Sequence, residues 1–293
     1  MRRPAALLAL CAALVMSTQA AAAELPQRWV SAGGALSEWI SALGGEQRLV
    51  GVDTTSQHPE ALTALPSIGY QRQLSAEGIL SLRPDLLVGT DEMGPPPVLA
   101  QIRQAGVRVE VFSSKPELAA LDANLEKLGR LLGEDGRAGL LAGQFHHELD
   151  AVQTKVKQAQ AAQKAPGVLL LVGHAGAKPL IAGAGTAGDW LLGQAGGRNL
   201  AGHQGYKNFS VEALAALDPD VVVIADRSLS GEQAVQALLK ENPGLASSRA
   251  VREKRLVSLD PTLLVGGLGP RLPATLQQLA GEFYPQAKAS FAP

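Results

Sequence analysis

The fold class read from this sequence is α/β: two lobes joined by one long helix, with a ligand in the cleft between them. Three observations carry that reading. Apolar runs of strand length alternate with stretches of helical spacing in both halves of the chain. One segment also returns in the second half: Ser75, Glu77, Pro84, Asp85, an apolar run and Asp91 are matched without a gap by Ser210, Glu212, Pro219, Asp220, an apolar run and Asp226. Tyr70 and Tyr206 precede the two serines, with spacings that differ by one residue. Finally, a long helical run separates the copies. Repeats this far apart are not a solenoid, whose units follow at short regular intervals; they indicate two related lobes.

In chain order, Arg2 and Arg3 are followed by an apolar stretch over 5–16 and by the small residues Ala20, Ala21, Ala22 and Ala23. That is the plan of a secretory signal peptide, with cleavage expected after Ala23. The single cysteine, Cys11, lies inside it, and Leu10 is not the small residue that precedes a lipid-anchored cysteine. The expected mature chain of about 270 residues has no cysteine, which suits a periplasmic protein whose core is stable without disulfides. A formal net charge of −1 with scattered Lys and Arg argues against a nucleic-acid partner.

A strand begins at Gln27 and a helix covers 33–45, because Leu36, Trp39, Ile40 and Leu43 fall on one buried face and glycines stop it. Residues 49–52 form a strand, and a polar loop over 53–57 follows. Ser75 is an N-cap, Glu77 sits in the first turn, and Pro84 ends that helix. Strands are expected over 86–88 and 107–112, with a helix over 98–104 between them. Residues 121–132 and 137–163 are helical, with a break at Gly133 to Gly136; the second run, roughly 40 Å long, reads as a rigid spine. Beyond Pro166 the rhythm resumes, with strands over 168–172, 179–182, 221–224 and 256–259 and helices over 187–195, 232–239 and 270–283. The expected division is a signal peptide (1–23), an N-terminal lobe (24–135), a linking helix (136–165) and a C-terminal lobe (166–293). Each lobe is expected to be Rossmann-like, around a mainly parallel sheet.

Tyr70 and Arg72 are the first candidates for chemistry. In an extended segment, residues two apart share a face. Phenolate is a ligand for hard ferric iron, and a neighbouring guanidinium favours the charged form. Keeping phenolate at neutral pH means lowering a pKa of about 10 by about three units, or about 4 kcal/mol. The same spacing also fits a half-buried loop tyrosine beside a surface arginine. Arg227, after Asp226 at a strand end, stands where open α/β sheets bind ligands and where a bidentate cation would suit a carboxylate.

The segment around Tyr70, Arg72, Ser75, Glu77, Pro84 and Asp85, the long spine, and the stretch from Ala182 to Asn199 resemble the periplasmic haem-binding proteins of bacterial haem-uptake ABC transporters. That group belongs to the wider cobalamin- and siderophore-type substrate-binding proteins, and the resemblance covers essentially the whole mature chain. It implies a monomeric binding protein, not an enzyme, that carries ferric haem to an inner-membrane permease homodimer with its ATPase. By resemblance, Tyr70 would be the axial ligand of the haem iron and Arg72 would hydrogen-bond its oxygen. Arg227 would meet a propionate or the far haem face, and His174 would supply a second axial ligand if two haems stack. Tyr206 mirrors Tyr70 but is followed by Lys207 and Asn208, without an arginine two residues on, and is expected to pack or to line the rim. Glu77 and Glu212, one per lobe, would dock into arginine pockets on the permease; both also suit the positive end of a helix dipole.

Rival readings keep the fold with a siderophore or cobalamin as ligand, or make the chain a nucleotide-dependent oxidoreductase or a metal hydrolase. Gly183, Gly185 and Gly188 satisfy a dinucleotide-binding spacing, but Asn208 stands where an acid is expected. His146, His147 and Asp150 have metal-ligand spacing on the spine. A zinc- or manganese-binding transport protein would need His58, His174 and His203 to converge with a carboxylate.

Overall fold

The computed structural model describes residues 25–173, 179–208, 216–226, 229, 231–241, 245 and 248–292. The N-terminal lobe comprises β1 (Trp29–Ala32), α1 (Gly34–Ala42), β2 (Leu49–Val52), α2 (Ala76–Ser81), β3 (Leu86–Thr90), α3 (Pro96–Gln104) and β4 (Arg108–Phe112). Its four strands form a wholly parallel sheet in the order β2-β1-β3-β4. Two helices follow: α4 (Leu118–Leu132), closed by Gly133 in the left-handed region at φ 76°, and α5 (Asp135–Ala162), the spine.

The 28 residues of α5 span about 42 Å. Its buried positions are Ala138, Phe145, Leu149, Val152, Val156 and Ala159, a single face at helical spacing. Phe145 packs against Trp39 of the N-terminal lobe with ring centroids 6.1 Å apart. One continuous core runs from Trp29 and Leu36 through this face to Val168, Leu192, Leu276 and Phe283. The lobes therefore share a core, and the spine is its backbone.

The C-terminal lobe comprises β5 (Gly167–Gly173), β6 (Leu180–Ala182), α6 (Ala187–Gln194), β7 (Arg198–Asn199), β8 (Tyr206–Asn208), β9 (Val221–Asp226), α7 (Gly231–Glu241), α8 (Arg249–Arg252), β10 (Leu256–Ser258) and α9 (Leu272–Phe283). Its sheet runs β10-β9-β5-β6-β8, with β7 beside the start of β5. β10, β9 and β5 are parallel, whereas β6 and β8 add antiparallel pairs. This sheet is thus mixed rather than mainly parallel. The stretch between the end of β5 at Gly173 and the start of β6 at Leu180 is too short for the crossover that parallel pairing needs, so these two strands pair antiparallel.

The glycine-rich turn is the strand-to-helix connection between β6 and α6. A Cβ on Gly183 would lie 2.3 Å from the His203 carbonyl oxygen, so backbone packing accounts for glycine there. On the spine, His146 Nε2 hydrogen-bonds Asp122 Oδ1 of α4 at 2.8 Å, which ties two helices together.

Candidate functional site

Strands β2, β9 and β10 end at a common cleft. Asp53 follows β2, and its buried carboxylate accepts hydrogen bonds from Gly33 N at 3.1 Å, Ser56 Oγ at 2.8 Å and Thr55 Oγ1 at 2.8 Å. Burial pushes the Asp53 carboxyl up despite these bonds. They draw the 53–58 loop against the start of α1 and shape one wall. Across from it, Asp226 ends β9, and Ser258 and Asp260 lie at the end of β10. Between them is a cavity of about 550 Å³, lined by Thr55, His58 and Tyr70 from one lobe and by Asp226, Asp260 and Thr262 from the other. Small-molecule sites typically occupy roughly 300–1,000 Å³.

Tyr70 reaches this wall through a turn. Gly69, at φ 82°, takes a left-handed conformation that a side chain would strain, and Gly69 O accepts from Thr54 N at 3.0 Å. Tyr70 itself is extended, but residues Gln71–Gln73 form one 3₁₀ turn, closed by Gln73 N donating to Tyr70 O at 2.8 Å. The expectation that residues 70 and 72 share a face by strand alternation is thus corrected. Gln71 is buried, Tyr70 is half-buried and Arg72 is exposed. The two side chains still come within electrostatic reach of one another.

Arg72 Nη2 pairs with Glu92 Oε1 at 2.6 Å, a partner that sequence reasoning missed. Burial lowers the guanidinium pKa, but the Glu92 hydrogen bond and charge, with smaller help from Tyr70 and Tyr206, raise it overall. Tyr206 comes from the other lobe, on the edge strand β8. It is 37% exposed as a residue, yet its hydroxyl is closely surrounded and meets the Gly188 amide and the Thr186 hydroxyl at the start of α6. Burial pushes this phenol up; Glu92 adds to the rise, and Arg72 and the hydrogen bonds oppose it. Residues 70, 72, 92 and 206 therefore form one neighbourhood spanning the lobes.

The cleft is also bridged by a second network that sequence reasoning missed. His58 Nε2 lies 2.9 Å from Asp260 Oδ2, and Asp260 pairs with Arg271 at 2.7 Å. Arg271 reaches back to Glu38 of α1 at 2.8 and 3.0 Å. His58 is thus engaged by a carboxylate, while His203 Nε2 lies 3.2 Å from Ile181 O. Glu77 is exposed in the first turn of α2, where Ser75 Oγ accepts from Gly78 N at 3.4 Å. Arg227, His174, Glu212 and the signal-peptide stretch lie outside the described residues.

The fold and the cleft define a two-lobed ligand-binding protein. The sequence matches the periplasmic binding protein family over residues 30–263, and the chain belongs to that family. It is similar to the crystal structure of a periplasmic haem-binding protein from Pseudomonas aeruginosa, with 64% identity, a TM-score of 0.88, and coverage of 89% of this chain and 94% of that one. It is also similar to the periplasmic haem-binding protein BhuT in complex with two haems (39% identity, TM-score 0.79, 89% of this chain and 98% of that one). Among curated relatives it is 25% identical to YvrC of Bacillus subtilis, an uncharacterised ABC transporter substrate-binding lipoprotein, across 89% of this chain and 81% of that protein.

Proposed function

We propose that this protein binds ferric haem in the interlobe cleft, with the Tyr70 phenolate as axial ligand, and delivers it to an inner-membrane ABC permease. The observation that carries the reading is the half-buried Tyr70 on the cavity wall, with the always-charged Arg72 in electrostatic reach. Ferric iron provides most of the drive to deprotonate the phenol, and Arg72 adds to it. The similarity to haem-binding structures supports haem over other ligands of this fold.

The remaining residues take the following roles. Arg227, next after Asp226 of the cavity wall, meets a propionate or the far haem face. His174 is the candidate for a further axial position. Tyr206 closes the rim opposite Arg72; its hydroxyl is engaged by α6, and its raised pKa is the reverse of what an axial phenolate needs. Glu77 and Glu212 dock one lobe each on the permease homodimer. The protein performs no chemistry on haem, acts as a monomer, and reaches the periplasm through cleavage after Ala23.

A ligand panel tests the reading. The mature protein titrated with ferric haem, a ferric siderophore and cobalamin should show saturable binding of haem alone. An iron filled by siderophore oxygens has no position for a protein phenolate, so tight siderophore binding without haem binding would overturn the proposal.

A further inference from the structure

We propose that Glu92 is a positioning residue that sets how firmly Tyr70 holds its ligand, by competing with the phenolate for Arg72. The inference rests on the haem reading above and adds to it a device for release.

Arg72 and Glu92 sit on two loops joined by backbone bonds. Gly94 N donates to Gln71 O at 3.0 Å, and Leu74 N donates to Gly94 O at 2.9 Å. Met93 N in turn donates to Thr90 O at 2.9 Å, which fixes the turn after β3. The 2.6 Å pairing of Arg72 with Glu92 is therefore built into the loop framework, although the two side chains are 52% and 33% exposed. Glu92 is partly covered and paired with Arg72, a cation within electrostatic reach of Tyr70. No cap or core requirement of the fold explains it.

The consequence follows from charge. A guanidinium has five N–H donors, so Arg72 can meet Glu92 on one edge and a phenolate oxygen on another. The carboxylate offsets much of the positive field that would favour phenolate. A protein built only for tight binding would leave that field intact. One that must hand its ligand on gains from a weaker phenolate bond, which breaks more readily as the lobes part. Tyr206, from the opposite lobe, adjoins both charges, so lobe movement changes the surroundings of the pair.

The test is Glu92→Gln, which keeps the shape and an acceptor oxygen but removes the charge. In the full mature protein loaded with ferric haem, the variant should lose haem more slowly than the parent by about tenfold, the equivalent of one pKa unit. Its phenolate-to-iron charge-transfer band should move to shorter wavelength, because the phenolate electrons are held more tightly. Both effects should vanish when Arg72→Ala is also present, since Glu92 acts through that arginine. An unchanged off-rate and band in Glu92→Gln would overturn the inference while leaving haem binding intact. So would the same slowing in the Arg72→Ala background, which would place Glu92 directly against the haem. Failure of the parent itself to bind haem would remove the underlying reading and this inference with it.

Discussion

Arg271 of the C-terminal lobe grips Glu38 of the N-terminal lobe through two hydrogen bonds, Nη2 to Oε1 at 2.8 Å and Nε to Oε2 at 3.0 Å. The Glu38 side chain is only 6% exposed. Beside it, Trp39 Nε1 donates to Leu268 O at 2.8 Å, so α1 is fastened across the cleft at consecutive residues. Together with the shared core along α5, these contacts fasten the two lobes to each other at α1 as well as along the spine.

Removing one partner should be costly. Arg271→Met leaves Glu38 buried without its cation, and the expected loss is about 3 kcal/mol or more in urea unfolding. Replacing both, as Glu38→Met with Arg271→Met, should recover most of that loss, because two packed apolar side chains escape the desolvation cost. A double variant as unstable as the single one would contradict this account.

Acid should loosen the same network. Burial works to raise the Asp260 carboxyl, but hydrogen bonds from the Thr262 hydroxyl and amide and from Arg271 prevail and set it below its ordinary 3.8. A lowered folded-state pKa stabilises the fold fully above the unfolded value of 3.8, and that contribution is lost as pH falls through the lower folded value. Urea midpoints should therefore fall more steeply below about pH 3.8 in the parent than in Asp260→Asn. Parallel pH profiles would show that Asp260 adds nothing.

Arg72→Ala should leave haem bound, shift the ferric spectrum and speed haem loss by about tenfold, the equivalent of one pKa unit. Stopped-flow transfer to an excess of apo-myoglobin measures the rate. An off-rate equal to the parent's would remove Arg72 from the site.

Glu77→Ala combined with Glu212→Ala should bind haem as the parent does and abolish uptake into vesicles carrying the permease and its ATPase. Normal uptake would reduce both glutamates to helix-end acids.

The architecture was legible where burial imposed a period. Strand β3 and the face of α5 carrying Phe145, Leu149, Val152 and Val156 are apolar because both sides, or one stripe, are covered. The edge strand β8 was not legible, since Tyr206, Lys207 and Asn208 are all exposed and its pairing partner is decided by tertiary position. Tyr70 and Arg72 were legible as a pair, but the geometry joining them was not: a 3₁₀ turn looks like any polar segment. Arg72 with Glu92, and above all Glu38 with Arg271, join residues whose contact depends on how loops and lobes close. No local pattern records such a pairing.

The most direct test of the central claim is an absorption titration of the mature protein with ferric haem beside Tyr70→Ala. The account predicts a saturable ferric spectrum with a phenolate charge-transfer band in the parent and loss of that band, with much weaker binding, in the variant. An unchanged spectrum and affinity in Tyr70→Ala would contradict it and move the iron to another ligand.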